Sequence, residues 1–565
     1  MKVKIAFLGL FIHFSAWVSA QSTFAPLNED YYHRIDRYEV KAGKIYPQLF
    51  TNLKQYKRSD IVALMDSVQA DGGVETKVDQ FNAEYINNDN WEWSQSETAD
   101  SKQPILKHFY KKKADFYSIH TKYFDLHVNP VIYVGLGQDS RLTDDNLFTN
   151  TRGIEVRGMV DEKVGFYTYL ADNQAIMPSY VNEWRAERGV IPHEGFWKTF
   201  KEGPGVDFLQ ARGYISFNAT KHIDLQFGHD RFFVGNGQRS MVFSDFAPPG
   251  LFFKGNVKVW KLNYMFLLNR FVADPRGLVT GIERSSNYPN KIVAFHHLSV
   301  NIGKKLNVGV FESVIYSPDD TTRLGGFDMA YANPIIFYRA IEQQNGSSDN
   351  VLLGLDFKWN ALRGVQLYGQ LMLDEFLLDN VKEGNGWWAN KVGVQAGLKY
   401  VDAFGVSNLD LQGEYNLVRP YTYSHNTQFG SYTNFRQAVA HPLEANFQEL
   451  IGVIRYQPIP KLTCVAKAFV YNKGVDGSVD ENWGGNLLKD NSTREKDYEN
   501  TIGQGVPVDV VYGSFTASWM LKHNLFVDGT YIYRESKSTA ANYTNTTSVL
   551  SMAVRWNISQ RHYEF

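Results

Sequence analysis

Apolar and polar residues alternate along the C-terminal third of this chain. At 409–417 one face carries Leu409, Leu411, Tyr415 and Leu417, and the other Asp410, Gln412, Glu414 and Asn416. At 365–374 Val365, Leu367, Leu371 and Leu373 oppose Gln366, Tyr368, Gln370 and Asp374, and 525–533 and 547–558 follow the same rule. Period two with unlike faces marks strands that bury one side. Repeated this often, it predicts a sheet closed around water and surrounded by lipid. Leu371 and Leu411 then meet lipid, and Gln370 and Gln412 face a lumen where Asn is tolerated.

Further stretches read as strands at 123–134, 151–160, 163–171, 211–218, 223–230, 256–268, 291–301, 306–315, 351–359, 392–400, 450–456, 462–471 and 508–518. Single-chain bacterial barrels take even strand numbers. The fold class expected is therefore all-β: an antiparallel transmembrane β-barrel of about 18 strands over residues 114–565. Connections alternate in length, short at 161–162, 304–305 and 522–523, long at 172–210, 316–350, 419–449 and 472–507. The long set belongs on the outer rim, and loops of that size usually carry function.

The amino terminus reads as an export signal over residues 1–20. Lys2 and Lys4 precede a short apolar core, and Val18-Ser19-Ala20 is a small-residue cleavage site before Gln21. Residues 21–113 are patterned differently from the strand-rich remainder, with apolar positions at helical spacing over 59–68 and 78–86 and Asp60 supplying first-turn charge. They predict a small helical segment that lies in the periplasm or plugs the lumen.

Composition agrees. Aromatic residues make up 15% of the 565, as barrels require for girdles where lipid meets water. A mean hydropathy of −0.34 is compatible with a membrane barrel, because every lumen-facing position is polar. A formal net charge of −2 argues against a nucleic-acid partner. The single cysteine, Cys464, cannot form an internal disulfide.

The densest polar and glycine cluster runs from Gly228-His229-Asp230-Arg231-Phe232-Phe233 through Gly235-Asn236-Gly237 to Ser244-Asp245-Phe246-Ala247-Pro248-Pro249. Downstream stand Asn333-Pro334 with Arg339, Glu342, Asp349 and Asn350, and Leu373-Asp374-Glu375-Phe376. These stretches resemble the Wzi-like capsule-assembly family of outer-membrane barrels, and within it the gliding-motility branch, over most of the chain. Phe233 stands where capsule-assembly members more often carry Trp.

The resemblance implies an outer-membrane lectin-like protein that holds or organises surface polysaccharide, or serves a gliding machinery or adhesin. It makes Asp230, Arg231, Ser244, Asp245, Arg339, Asp349, Asn350 and Asp374 candidate ligand-binding residues. Read without it, Gly235-Asn236-Gly237 is a loop or bulge, and the charges either hold an acidic or hydroxyl-rich polymer or brace the wall as pairs. Such pairs are Asp230 with Arg231, Arg339 with Glu342, and Asp356 with Lys358. Loop aromatics Trp184, Trp197, Trp387, Trp388, Tyr421, Tyr423 and Trp483 either stack on sugar faces or pack the loops together.

No catalytic triad, zinc motif or Cys/His cluster is present, and neither metal nor cofactor is expected. Asp374 and Glu375 point to opposite faces while they remain in a strand, so they form no acid/base dyad there. The expected partners are outer-membrane lipid and surface polymer, with no enzymatic activity. The competing function is a passive solute channel, and the state of the lumen separates the two. In the last strand Leu550, Met552, Val554, Trp556 and Ile558 share the lipid face, but Phe565 falls on the opposite parity. Residues 560–565 are therefore expected to form a bulged or detached tail.

Overall fold

The computed structural model describes residues 21–143, 145–200, 203–273, 288–318, 329–335, 337–338, 349–427 and 429–565. The expected signal, Arg339 and Glu342 lie outside them.

Eighteen antiparallel strands of 8 to 17 residues form one closed barrel. They are β1 Phe124–Asp139, β2 Leu147–Val160, β3 Val164–Ile176, β4 Val206–Thr220, β5 Ile223–Asp230, β6 Gly250–Val259, β7 Leu262–Val272, β8 Asn290–Ile302 and β9 Leu306–Tyr316. The second half comprises β10 Asn350–Leu362, β11 Val365–Leu373, β12 Val392–Tyr400, β13 Leu409–Val418, β14 Phe447–Ile459, β15 Leu462–Val475, β16 Val506–Lys522, β17 Leu525–Ser538 and β18 Tyr543–Trp556. Closure joins β18 to β1, with Val549 opposite Asp139 and Trp556 opposite Ile132. A closed wall leaves no strand edge for lipid to meet.

The alternation in the sequence is the alternation of this wall. Leu136, Leu209, Leu450, Leu550 and Met552 are exposed on the outside, whereas Gln226, Gln366, Gln395, Glu414 and Asn416 are buried inside. Gln370 and Gln412 are inward and buried, as their register requires. One expectation fails: 256–268 is not a single strand. β6 and β7 meet there in a two-residue turn at Trp260 and Lys261, with Trp260 at φ 56. Nothing in Trp-Lys announces a turn, since Gly, Asn, Asp and Pro are the residues that normally take such backbone.

The other segments fill the barrel. Helices α1 Glu29–Ala42, α2 Arg58–Ala70 and α3 Lys77–Asp89 sit at the short-turn rim, where Ile45 N–H donates to the Lys304 carbonyl at 2.7 Å and the Tyr85 hydroxyl to Asn524 Oδ1 at 2.5 Å. Asn28 caps α1, and Thr76 with Asp79 forms a capping box on α3.

α1 crosses the bore. Near its start Asp30 faces Arg555 on β18 at 3.8 Å, and near its end Glu39 pairs with Lys358 on β10 at 2.6 Å, almost opposite on the ring. Between them Arg37 contacts Asp79, Asp402 and Asp410 at 2.8, 2.9 and 2.9 Å. α1 escapes the sequence reading because its apolar stripe, Tyr31, Ile35 and Tyr38, is mostly tyrosine and is interleaved with buried charges, Arg34, Asp36, Arg37 and Glu39, that face a polar lumen. The expected pairing of Asp356 with Lys358 is corrected by the same plug. Asp356 takes His297 at 2.5 Å and Asn52 at 3.1 Å, leaving Lys358 to Glu39.

At the other terminus the chain leaves the wall after Trp556, through Asn557 at φ 53. Residues 557–565 turn back inside, so Ile558 lines a lumenal cavity and does not meet lipid. Phe565 is buried against Trp184, Tyr180 and Phe246. The mismatch in parity thus marks a tail detached from the last strand.

Candidate functional site

The glycine-rich cluster forms the connection between β5 and β6, residues 231–249, which folds into the lumen. Phe233–Val234 pairs antiparallel with Leu53–Lys54 of the N-terminal segment. Gly235 takes φ 128, and a Cβ there would lie 2.8 Å from the Gln370 amide. At Gly237 a Cβ would collide with the Glu414 carboxylate, so both glycines allow the loop to lie against the wall. Gln370 clamps it, donating to the Val234 carbonyl at 3.0 Å and accepting from Met241 N–H at 2.7 Å. The expected tolerance for Asn at Gln370 is therefore withdrawn: the shorter side chain cannot reach both.

Further along, the backbone N–H groups of Gln238 and Arg239 donate to Glu414 at 2.6 and 3.1 Å. The Arg239 guanidinium reaches Glu449 at 3.1 Å and also the Glu564 carbonyl. The inner loop, the C-terminal tail and the N-terminal segment are thus tied to the same wall strands and occupy most of the lumen between them.

A cavity of about 180 Å³ remains between the inner loop, the tail and the wall strands β3 and β4. Arg231, Phe233, Ser244, Asp245 and Phe246 line it from the loop, Tyr169, Phe208 and Arg212 from the wall, His193 and Glu194 from the β3–β4 connection, and Arg561 and His562 from the tail.

Of the sequence candidates, Arg231, Ser244 and Asp245 meet at this cavity, and Asp230 lies behind it. Asp230 accepts from Gln55 at 2.7 Å and from Arg231 N–H at 2.8 Å. The expected Asp230–Arg231 side-chain pair does not form among the described residues. Arg231 Nη1 donates instead to the Asp245 carbonyl at 3.0 Å, and Nε is buried without a partner. Burial, with Arg212 alongside, pushes the Arg231 guanidinium below its ordinary pKa. Ser244 is structural, donating to the Val439 carbonyl at 3.4 Å and accepting from Phe246 N–H at 3.3 Å.

The other described candidates, Asp349, Asn350 and Asp374, stand apart from the cavity. Asp349 accepts from the Tyr331 hydroxyl at 2.7 Å, and Asn350 donates to the Gly430 carbonyl at 3.0 Å. Asp374 and Glu375 have left β11 and both approach Lys391, at 3.7 and 3.0 Å. Burial pushes the Asp374 carboxyl up to about 7 against the pull of Lys391.

Several loop aromatics pack the loops together. Tyr421 and Tyr423 are almost fully buried, Tyr423 stacks on Tyr432 at 5.9 Å, and Trp184 packs on Phe246 and Phe565. Arg212, His193 and Arg561 escape sequence analysis because no motif surrounds them; the only signal is a charged residue at an inward position of a strand, at Arg212. Among the described residues no cluster of three or more His, Cys, Asp or Glu side chains is placed to hold a metal.

No protein-family model and no curated protein matches the chain. Among solved structures it is similar to Wzi, an outer membrane protein involved in group 1 capsule assembly in Escherichia coli and a carbohydrate-binding β-barrel. The likeness covers 95% of this chain and 99% of that one at 12% identity, with a TM-score of 0.56. The chain has the Wzi fold. It also matches OprD of Pseudomonas aeruginosa (9% identity, 76% and 94% covered, TM-score 0.41) and OccAB4 of Acinetobacter baumannii (8%, 77% and 97%, TM-score 0.40). It is a β-barrel of the bacterial outer-membrane kind, and at this identity the likeness to Wzi is one of fold.

Proposed function

We propose that this chain is a polysaccharide-binding barrel of the outer membrane, acting in capsule or exopolysaccharide assembly or attachment, and neither an enzyme nor a passive channel. The observation that carries the reading is the largely occupied lumen. α1 crosses the bore, the inner loop and tail occupy its middle, and a cavity of about 180 Å³ beside them presents guanidinium, imidazole, carboxylate and aromatic groups suited to sugar carboxylates and hydroxyls. The carbohydrate binding stated for Wzi supports it. The convergence of Asp374 and Glu375 on one lysine supports a bracing role for them over acid/base chemistry. A part in gliding, through bound polymer or an adhesin partner, is the finer form of the proposal and rests on the motif resemblance.

The test uses the full-length barrel in detergent and in planar bilayers. Retention of surface polysaccharide without steady ion conductance supports the reading. Stable open-channel current without polysaccharide binding would establish the solute channel instead.

A further inference from the structure

Three arginines line the lumenal cavity without a carboxylate ion pair; Arg561 is engaged by Thr151 and Asn173, which leaves Arg212 and Arg231. Arg212, inward on β4, has no hydrogen bond or ion pair among the described residues, and its guanidinium lies 4.6 Å from the centre of the Tyr169 ring. Arg231 spends one nitrogen on the Asp245 carbonyl and leaves Nε unpaired. Asp230 and Glu194 attract Arg212 from a distance but spend their hydrogen bonds elsewhere, Asp230 on Gln55 and the Arg231 backbone, Glu194 on Gln210. The guanidinium nitrogens of Arg212 thus remain open to an entering carboxylate through charge-assisted, bidentate contacts.

Asp245 narrows the ligand further. It is exposed to the cavity, and its carboxylate has no hydrogen bond among the described residues. A second carboxylate repels a bare inorganic anion but accepts hydroxyl hydrogens, and the rings of Phe208 and Phe246 give the cavity apolar walls. The space holds on the order of a dozen water positions at roughly 15 Å³ each, which is room for a sugar ring and not for a folded chain.

We infer that the cavity receives one acidic sugar residue, with its carboxylate between Arg212 and Arg231 and its hydroxyls on Asp245. The inference rests on the polysaccharide-binding reading and adds the substrate class and the residues that select it. Arg212 is the selecting residue because no group among the described residues hydrogen-bonds or ion-pairs with it.

Calorimetry on the full-length barrel in detergent tests this with a hexuronic-acid oligosaccharide, its carboxyl-reduced counterpart and inorganic sulfate. The acidic oligosaccharide is expected to bind about tenfold tighter or more than the reduced one. Arg212→Gln erases that preference while heat-modifiable, folded barrel is recovered in normal yield. Arg212→Lys, which keeps the charge and loses the planar fork, gives an intermediate preference and serves if the Gln variant folds poorly.

Equal binding of both oligosaccharides, or an unchanged preference in Arg212→Gln, overturns the acidic-sugar assignment and leaves the polysaccharide reading standing. Binding of sulfate alone, with neither oligosaccharide bound, overturns both.

Discussion

Glu564, the penultimate residue, accepts the Lys467 ammonium at 2.7 Å inside the barrel, where both side chains are almost inaccessible. Glu29 of α1 takes the same ammonium at 2.7 Å. One wall lysine therefore joins the two ends of the described chain, and the plug is built from segments more than 500 residues apart in sequence.

Because Phe565 packs inside the lumen and ends no strand, its removal leaves the wall intact. Deleting it is expected to slow membrane insertion only modestly and to shift the emission of Trp184, which packs on its ring at 5.4 Å. Complete loss of the protein from outer-membrane fractions would show that assembly reads the terminal aromatic.

Arg37 neutralises three carboxylates of the plug and the wall. Replacing it with Met removes one partner from each of Asp79, Asp402 and Asp410; Lys41 still reaches the first two at 2.7 and 3.2 Å and His33 the third at 2.9 Å, which holds the cost to about 3 kcal/mol or less. Limited proteolysis should cut residues 21–113 faster while the barrel stays protected, because the strands are held by their own ladder. Unchanged cleavage would mean that the plug does not depend on this network.

Leu550 is exposed near the middle of β18. Arg there should cost about 2 to 4 kcal/mol in equilibrium folding into lipid, with smaller costs at Leu371 and Leu411, which lie nearer the rims. Gln412→Asn, on the inward face, loses contact with the Tyr368 hydroxyl and should cost about 1 kcal/mol. Equal costs for Leu550→Arg and Gln412→Asn would contradict the register.

Asp374 makes the outer loops sensitive to pH. Its carboxyl, raised to about 7, holds a proton that an unfolded aspartate releases near an ordinary pKa of roughly 4. The contribution to stability is complete below that lower value and is lost as pH rises towards about 7. Tyr423 N–H donates to this carboxylate at 2.8 Å, so its exchange protection, corrected for intrinsic rate, should fall from pH 4 to 8. Asp374→Asn should flatten the profile; a profile identical to wild type would place the titration elsewhere.

The wall is legible in sequence because each strand has lipid on one side and polar groups on the other, as in Leu409–Val418. The same physics obscures α1, whose tyrosine-rich stripe is interleaved with charges buried against wall charges, while the Trp260 turn is hidden because its residues give no turn signal. Arg231, Ser244 and Asp245 can be singled out because they share one loop. Arg212 cannot, since only barrel closure and the inward-folding tail bring it to the same cavity. Arg339 remains a proposal from the motif resemblance.

Polymer binding by the lumenal arginines of the barrel is tested most directly by the ratio of cell-attached to released polysaccharide, with colony spreading alongside, in a deletion strain carrying wild type, Arg231→Gln or Arg212→Gln. Wild type should restore attachment, and the variants should lower it while folded, heat-modifiable barrel stays in the outer membrane. Full attachment with the variants, or loss of the folded barrel itself, would contradict polymer binding by these residues and leave them as braces of the wall.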